Sequence, residues 1–262
     1  MSHLESFLET DTSLRQRLHI HNGQVTVKGS ERLALGRMEQ TTLSGRRAEV
    51  AQTFSNRLIE LCPWIHLIAL SGSIAYAASK PRDDVDFYLV TRRNRVWITL
   101  LFAMVTARFR RMRNPAFPRF CFNRILDEGE CREAFRSRQD PLFAREALNL
   151  RVLEGRPYYR DLLISATWMD GVFPRLYRQA TISAARDTER PARPNRRSWS
   201  LANAIAFAAL APYLAIVGMW RNDRLLRAGN LDARFRTIVQ RGFFAYESRK
   251  YDLLRDTYSK VF

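Results

Sequence analysis

The sequence contains few cysteines and no internal repeat. Its three cysteines, Cys62, Cys121 and Cys131, show neither a C-x-x-C spacing nor a paired metal-ligand pattern. We therefore expect free thiols in a reducing compartment, with no disulfide framework and no cysteine-based zinc site. The absence of a repeat argues against a solenoid or propeller architecture.

The first ten residues also lack the pattern of a signal peptide. The segment MSHLESFLET carries acidic residues and has no basic region followed by an apolar one. We therefore expect no secretion signal, and together with the cysteine pattern this predicts a cytoplasmic location.

Acidic residues are scarce relative to basic ones. Lysine and arginine number 43 against 26 aspartates and glutamates, which gives a formal net charge of +17. This surplus favours an anionic partner, whether nucleotide phosphates, nucleic acid or an anionic lipid surface, but it does not choose among them. An arginine-rich, GC-rich genome would explain the charge equally well. The 262 residues, 46% of them hydrophobic, can form one large domain or a catalytic domain with a helical appendage.

Local patterns predict an α/β (α+β) fold with a small mixed sheet. Alternating apolar residues around Asn22-Gly23 predict a β-hairpin over 14–27, within an N-terminal lead-in of residues 1–44. Helical spacing runs from Gly45 to Leu61 and ends at Cys62-Pro63. Further strands are predicted at 64–70, 85–91 and 119–126, and further helices at 96–107 and 140–153.

The chain divides at a charged, proline-containing segment. Residues 186–198 include RDTERPARPNRR and are the best candidate for a linker. This places the catalytic domain at 45–185 and a C-terminal segment, predicted to be helical, at 199–262. The sheet of the catalytic domain would carry the Gly-Ser turn and the Asp-x-Asp strand described next.

A strand, a Gly-Ser turn, a short helix and an acidic strand follow one another over residues 67–90. Asp84 and Asp86 are two positions apart on a strand, so their carboxylates project from the same face. Paired carboxylates suit Mg²⁺ or Mn²⁺, which share their coordination shell with substrate phosphates. Gly72 allows close approach of the backbone to a phosphate, and Ser73 adds a hydroxyl at a helix start. The pattern indicates metal-dependent phosphoryl or nucleotidyl transfer.

These residues resemble the signature of the DNA polymerase β-like nucleotidyltransferase superfamily. Gly72-Ser73, a spacer of ten residues and Asp84-Val85-Asp86-Phe87 match every position of that signature. Four further segments resemble the minimal bacterial nucleotidyltransferase-like branch. They are LIALSGSIAYA, RFCFNRIL, the Asp140 to Glu146 helix and YESRKYDLLRDTY.

The resemblance implies transfer of a nucleoside monophosphate from a nucleoside triphosphate, with ATP the expected donor, to an acceptor that the sequence does not identify. Asp84 and Asp86 would hold the metal, and Gly72 and Ser73 would bind the β- and γ-phosphates. Asp140 and Glu146 also have a plain structural interpretation, as a helix cap and an exposed helix face.

The chain departs from the superfamily pattern at the third carboxylate. Active members usually place this acid on a neighbouring strand, where the present sequence has Asn123. An amide ligates weakly and cannot accept a proton. Asp127 and Glu128 follow and are alternative candidates, although a solvated turn explains them as well. A catalytically decayed nucleotide-binding or membrane-associated regulator is therefore the main rival, and a nucleic-acid-binding protein acting through charge alone is a weaker third interpretation.

Residues 200–219 form an uncharged apolar run of the length that a membrane-spanning helix needs. Trp199 and Trp220 stand at its ends, where interfacial aromatic residues belong. Asn203 and Pro212 interrupt it and disfavour insertion. We expect a buried or membrane-surface pair of helices bent at Pro212, with a true span as the alternative.

Overall fold

The computed structural model describes residues 10–21, 24–185, 199–229, 234–248 and 250–258. It confirms the α/β class, with a six-stranded mixed sheet and a separate two-stranded sheet. The Asn22-Gly23 turn and the linker expected at 186–198 lie outside the described residues.

The strands of the described chain are β1 (Leu18–His21), β2 (Gln24–Val27), β3 (Ile65–Leu70), β4 (Val85–Thr91), β5 (Phe120–Asp127), β6 (Arg151–Glu154), β7 (Phe235–Val239) and β8 (Phe243–Ser248). Strands β1 and β2 form the N-terminal hairpin that the alternating apolar residues predict, whereas residues 14–17 of the predicted range are helical. The large sheet has the order β6-β3-β4-β5-β8-β7, in which β4 and β5 are parallel and all other neighbours are antiparallel.

The helices of the described chain are α1 (Thr12–Arg17), α2 (Glu31–Leu61), α3 (Gly72–Ala75), α4 (Val96–Arg113), α5 (Glu128–Ser137), α6 (Pro141–Leu148), α7 (Arg156–Ile164), α8 (Trp168–Val172), α9 (Pro174–Ala185), α10 (Ser200–Arg227) and α11 (Lys250–Tyr258). Helix α2 begins 14 residues before the predicted Gly45. Its first turns expose Leu33, Leu35 and Met38, so the apolar periodicity that marks a packed helix is missing there.

Both faces of the six-stranded sheet are covered, which is why β3 and β4 are mostly apolar. Ile68 and Leu70 point to one face, where α2, α4 and α10 complete a core. Leu67 and Ala69 point to the other face and pack with residues of α5, α6, α7 and α9. Because β3 and β4 are antiparallel, the end of β3 lies beside the start of β4, and this brings the Gly-Ser turn to the Asp-x-Asp segment.

The C-terminal segment is not helical throughout, which corrects the prediction for the last forty residues. Strand β8 pairs with β5, and β7 pairs with β8, so this hairpin completes the large sheet. Helix α10 is tied to the hairpin because the Asn222 side chain bonds the backbone N–H and C=O of Phe235. The segment is therefore part of the same sheet and core as the region predicted to be catalytic.

Helix α10 is one continuous helix that passes through Pro212, not the bent pair expected from the sequence. Within the described residues it is the one helix long and apolar enough to cross a membrane, with a mean hydropathy of 1.8 in a window that is 28% buried. Length and composition alone are weak evidence for a span, because core helices of soluble proteins share them.

The buried Asn203 joins α10 to α4. Its Oδ1 accepts hydrogen bonds from the backbone N–H groups of Trp97 (2.9 Å) and Ile98 (3.1 Å), two of the unpaired donors in the first turn of α4. We expect Asn203→Ala to lower the free energy of unfolding by about 2 kcal/mol, because two buried donors lose their acceptor. Urea denaturation measures the change.

Asn203→Asp is the matched control for this prediction. Its carboxylate can accept the same two bonds and carries the charge that a helix N-terminus favours. It should retain more of the parent's stability than Asn203→Ala does. Equal denaturation midpoints for the alanine variant and the parent protein would show that this cap contributes nothing.

Candidate active site

Gly72 and Asp86 meet where β3 ends and β4 begins. Gly72 has a φ of +60°, and a Cβ placed on it would lie 2.5 Å from Asp86 Oδ2. The backbone N–H of Ser71 donates to the Asp86 carbonyl oxygen at 2.9 Å, which fixes the turn against the strand. Only glycine fits this position without displacing the carboxylate.

The Asp86 side chain also contacts strand β5. In the parallel pairing of β4 with β5, Asp86 lies opposite Cys121. The amide Nδ2 of Asn123 donates to Asp86 Oδ1, and the Cys121 thiol donates to Asn123 Oδ1 at 2.7 Å. A short chain of hydrogen bonds therefore runs from β5 to the Asp86 carboxyl group, and this group is oriented from both of its neighbouring elements.

Burial, and next the negative charge of Asp84, raise the pKa of Asp86 to about 7. The hydrogen bond from Asn123 opposes this rise because it stabilises the carboxylate form. Two neighbouring carboxyl groups of this kind gain from a cation placed between them. The pair therefore has the electrostatic character expected of a cation ligand set.

The structure places one of the predicted site residues in the wall of a cavity and the others outside it. Asp86 lies in the wall of a cavity, with Ser71 beside it, whereas Asp84, Gly72 and Ser73 are not among the residues that line it. Asp84 immediately precedes β4 and acts on Asp86 through its charge. Ser73 lies on the four-residue helix α3.

Within the described parts of the chain, no group of three His, Cys, Asp or Glu side chains is placed to hold a metal ion. Mg²⁺ commonly binds one or two carboxylates and completes its shell with water and substrate phosphates. Asp84 and Asp86 fit a cation that arrives with a phosphate substrate. They do not form a site enclosed by protein ligands.

At the position where the resemblance predicts a third carboxylate, the structure has Asn123 beside Asp86. Asp127 pairs with Thr91, five residues beyond Asp86 along β4, which is a distance of about 16 Å at the rise of a strand. Asp127 caps α5 through the N–H groups of Gly129 and Glu130, and Glu128 lies beside His66 at 3.4 Å. Both alternatives considered from the sequence are therefore removed from the site.

Asp86 opens into a cavity of about 570 Å³ between the sheet, α6, α10 and α11. No sequence pattern predicted the arginines in the wall of this cavity, which are Arg124, Arg138, Arg221, Arg236 and Arg255. Four of them share two carboxylates. Glu247 lies 3.1 to 3.8 Å from Arg124, Arg138 and Arg236, and Asp140 lies 2.9 Å from Arg255 and 3.8 Å from Arg138. This network has more guanidinium than carboxylate groups, so its remaining N–H donors can bind an anion.

Glu146 is in the cavity wall and not on an exposed helix face, which corrects the interpretation from sequence. Its Oε1 accepts a hydrogen bond from the Tyr76 hydroxyl at 2.8 Å. Burial, followed by the charge of Glu146, raises the pKa of Tyr251 to about 12. The cavity exists because α11 folds back over α6, and helix periodicity alone cannot report such a contact.

Helix α11 is fastened to α6 by polar contacts at two points. Arg255 Nε donates to Asp140 Oδ2 at 2.9 Å, and Arg145 donates to the Tyr258 hydroxyl at 2.9 Å. Asp140 also caps α6 through the Leu142 N–H, as its position before Pro141 predicts. Helix α11 therefore forms part of the site.

The raised pKa of Asp86 predicts a stability that falls with rising pH in protein kept free of divalent cations. Between its ordinary value of 3.8 and about 7, the folded state keeps a proton that the unfolded state has released. The free energy of unfolding should therefore fall as the pH rises through this window and show no further contribution from Asp86 above it.

Urea denaturation from acidic to neutral pH, with chelator present, measures this effect as a difference from Asp86→Asn. The variant cannot titrate at position 86, so its curve should be flatter in this window. Parallel curves for the two proteins would contradict the raised pKa.

Asp86 packs against Gly72 and accepts a hydrogen bond from Asn123. The fold of the chain sets both contacts. The cavity joins these groups to an arginine network on elements distant in sequence. No protein-family model, curated protein or solved structure matches the chain.

Proposed function

We propose that the protein is a metal-dependent nucleotidyltransferase that moves a nucleoside monophosphate from a nucleoside triphosphate, with ATP the expected donor, to an acceptor hydroxyl or amine. One observation carries the proposal. The Asp86 carboxyl group, held against the positive-φ Gly72, opens into a cavity whose wall contains a network of arginines.

The size and the lining residues of the cavity are suited to a bound nucleotide. Its volume of about 570 Å³ lies within the ordinary range for small-molecule sites. Arg124, Arg138 and Arg236 could bind phosphate oxygens through paired N–H donors, a geometry that a planar guanidinium favours over an ammonium group. Tyr246 and Phe235, which also line the cavity, offer apolar surface for a base.

The proposed roles of the acidic residues follow from their positions. Asp86, with Asp84 beside it, would hold Mg²⁺ or Mn²⁺ brought by the triphosphate, and Asn123 would keep the Asp86 carboxylate oriented. The bound cation would neutralise charge on the phosphates during displacement at the α-phosphorus. Gly72 would allow close approach of the β- and γ-phosphates, with Ser73 as a further donor. The acceptor oxygen or nitrogen would bond to the α-phosphorus, and the bond from that phosphorus to the bridging oxygen of the β-phosphate would break. Pyrophosphate would leave, and the proton of the acceptor would pass to water or to the departing phosphates.

Asn123 favours a second candidate function, a nucleotide-binding regulator without turnover. An amide cannot accept the proton of the incoming acceptor, and burial raises the pKa of the neighbouring Cys121 thiol to about 12, so that group stays protonated. A protein of this kind would bind the nucleotide and its cation in the same cavity. It would release no pyrophosphate.

A screen with labelled nucleoside triphosphates distinguishes the two functions. The full chain is incubated with each nucleotide, Mg²⁺ or Mn²⁺ and cell-extract fractions, and both binding and transfer of label are measured. Binding with transfer supports the transferase, and binding without transfer supports the regulator. Absence of both would refute nucleotide binding in this cavity.

The proposed setting is the cytoplasm, with the acceptor left open among small molecules, protein side chains and RNA ends. Nucleic acid is the weaker choice of partner, because positive charge alone does not choose among anionic partners. Residues 200–219 add a proposed association with the membrane.

A further inference from the structure

Helix α10 has an apolar stripe that no described part of the chain covers. Its large members recur at helical spacing over about five turns, and their side chains are 54 to 75% exposed. They are Leu201, Ile205, Tyr213, Ile216, Met219 and Trp220. No charged residue interrupts the helix between Ser200 and Met219. A continuous exposed surface of this kind marks a binding face on a protein that otherwise has a well-packed core.

The opposite side of α10 is part of the folded domain. Asn203, Leu214 and Gly218 are buried there, and Asn203 caps α4 through its side chain. A Cβ on Gly218 would overlap Thr237 Oγ1, so the helix backbone contacts β7 directly. To span a bilayer, α10 would have to expose this side to lipid and leave the first turn of α4 uncapped. The fold therefore favours an orientation with only the apolar stripe in contact with lipid.

Helix α4 has an exposed apolar face of its own. Val105, Phe109 and Met112 are 52 to 69% exposed and occupy one side of its last turns. Its first turns pack against α10, where the rings of Trp97 and Phe207 are 5.0 Å apart. The two helices are therefore direct neighbours, and each leaves an apolar face open.

Arginines lie beside the exposed apolar residues of both α4 and α10. The Arg113 guanidinium lies 4.3 Å from the Phe109 ring centroid, and the Arg224 guanidinium lies 4.6 Å from the Trp220 ring centroid. Arg108, Arg110 and Arg111 are further cations in the last turns of α4. Aromatic rings with adjacent cations at the ends of apolar helices are typical of the boundary between hydrocarbon and headgroups.

We propose that the apolar stripe of α10, with the last turns of α4, docks the protein on an anionic lipid bilayer, and that α10 lies along the surface without crossing it. The apolar side chains would enter the acyl boundary, and the arginines would meet lipid phosphates and carboxylates. A second copy of the chain fits less well, because a symmetric contact would bring the same arginines together.

Co-sedimentation of the full chain with vesicles tests the proposal. We expect binding to vesicles of phosphatidylcholine mixed with phosphatidylserine, weaker binding to phosphatidylcholine alone, and loss of binding in high salt. Ile205→Asp and Ile216→Asp should each weaken binding about tenfold, because each removes an apolar side chain from the lipid contact. Both positions are at least 60% exposed, so the variants should fold.

Ile164→Asp and Ile182→Asp are matched controls. These isoleucines are 55% and 57% exposed on α7 and α9, so the same substitution alters a similar surface elsewhere. Their binding should equal that of the parent. Equal losses in all four variants would overturn the assignment of the surface, and equal binding to neutral vesicles would overturn the role of the arginines.

Trp220 reports the orientation directly. Its indole is 58% exposed at the end of the stripe, so brominated lipids should quench its fluorescence, and Trp220→Phe should remove that quenching. If only detergent, and not high salt, released the protein from the vesicle pellet, the helix would span the bilayer and the surface orientation would be overturned. A concentration-dependent dimer that Ile216→Asp disrupts, without vesicle binding, would assign the stripe to a second copy.

Discussion

Asp86→Asn should lower the affinity for a magnesium–nucleotide complex by at least about 100-fold, because it removes the cavity-facing carboxylate, and loss of outer-shell partners alone costs up to that amount. The fold should remain intact or become more stable, since a buried carboxyl group that is repelled by Asp84 is replaced by a neutral amide. Calorimetric titration with a non-hydrolysable triphosphate and Mg²⁺ gives the affinity, and thermal melting gives the stability.

Asp83→Asn is the matched control for that variant. Asp83 is the next acidic residue before Asp84, but its Oδ2 accepts from the Lys80 N–H in the preceding loop and it does not line the cavity. Its affinity for the nucleotide should stay close to that of the parent. Asp84→Asn should weaken binding in the same direction as Asp86→Asn. Parent-like affinity in folded Asp86→Asn would show that the cation and the nucleotide bind elsewhere.

Gly72→Ala should weaken magnesium–nucleotide binding by roughly tenfold or more and also destabilise the fold by about 1–2 kcal/mol. The stability loss follows from its φ of +60°, a conformation that costs an L-residue about this much. The loss of affinity has a separate cause, because the new Cβ would lie 2.5 Å from Asp86 Oδ2 and must displace the carboxylate. Titration and denaturation are measured on the same preparation.

Gly29→Ala separates backbone strain from the displacement of Asp86. Gly29 has a similar φ of +85°, but a Cβ there meets no atom within 4 Å. It should therefore lose stability by a comparable amount and keep the parent's affinity for the nucleotide. If both variants bind like the parent, close packing at Gly72 has no part in substrate binding.

Local sequence patterns determined the elements that carry the Gly-Ser and Asp-x-Asp segments. Strands β3 and β4 were predictable because both of their faces are buried, and short, mostly apolar runs indicate this directly. The N-terminal hairpin was predictable because period-two alternation and a turn pair are local signals. The closeness of Gly72 to Asp86 follows from the short connection between two neighbouring strands.

The sequence also located the apolar run of α10 but not its environment. Its composition is compatible with a buried core helix, a surface helix and a spanning one, and only the contacts of Asn203 and Asn222 with other elements distinguish them. Strands β7 and β8 were missed for a related reason. They are short, and their place in the sheet depends on pairing with β5, which lies far away in the chain.

Only the tertiary structure shows which charged residues meet in the wall of the cavity. Arg124 and Glu247 are 123 residues apart in sequence, and Asp140 and Arg255 are 115 apart, so no local window contains either pair. The same holds for Asn123 beside Asp86, which depends on the parallel pairing of β4 with β5. Periodicity specifies which faces a segment must bury, whereas the partner of each face is chosen by packing between distant segments. Local patterns therefore specify the Gly-Ser turn, the acidic pair and the two strands that carry them, whereas packing between distant segments sets which charges surround them.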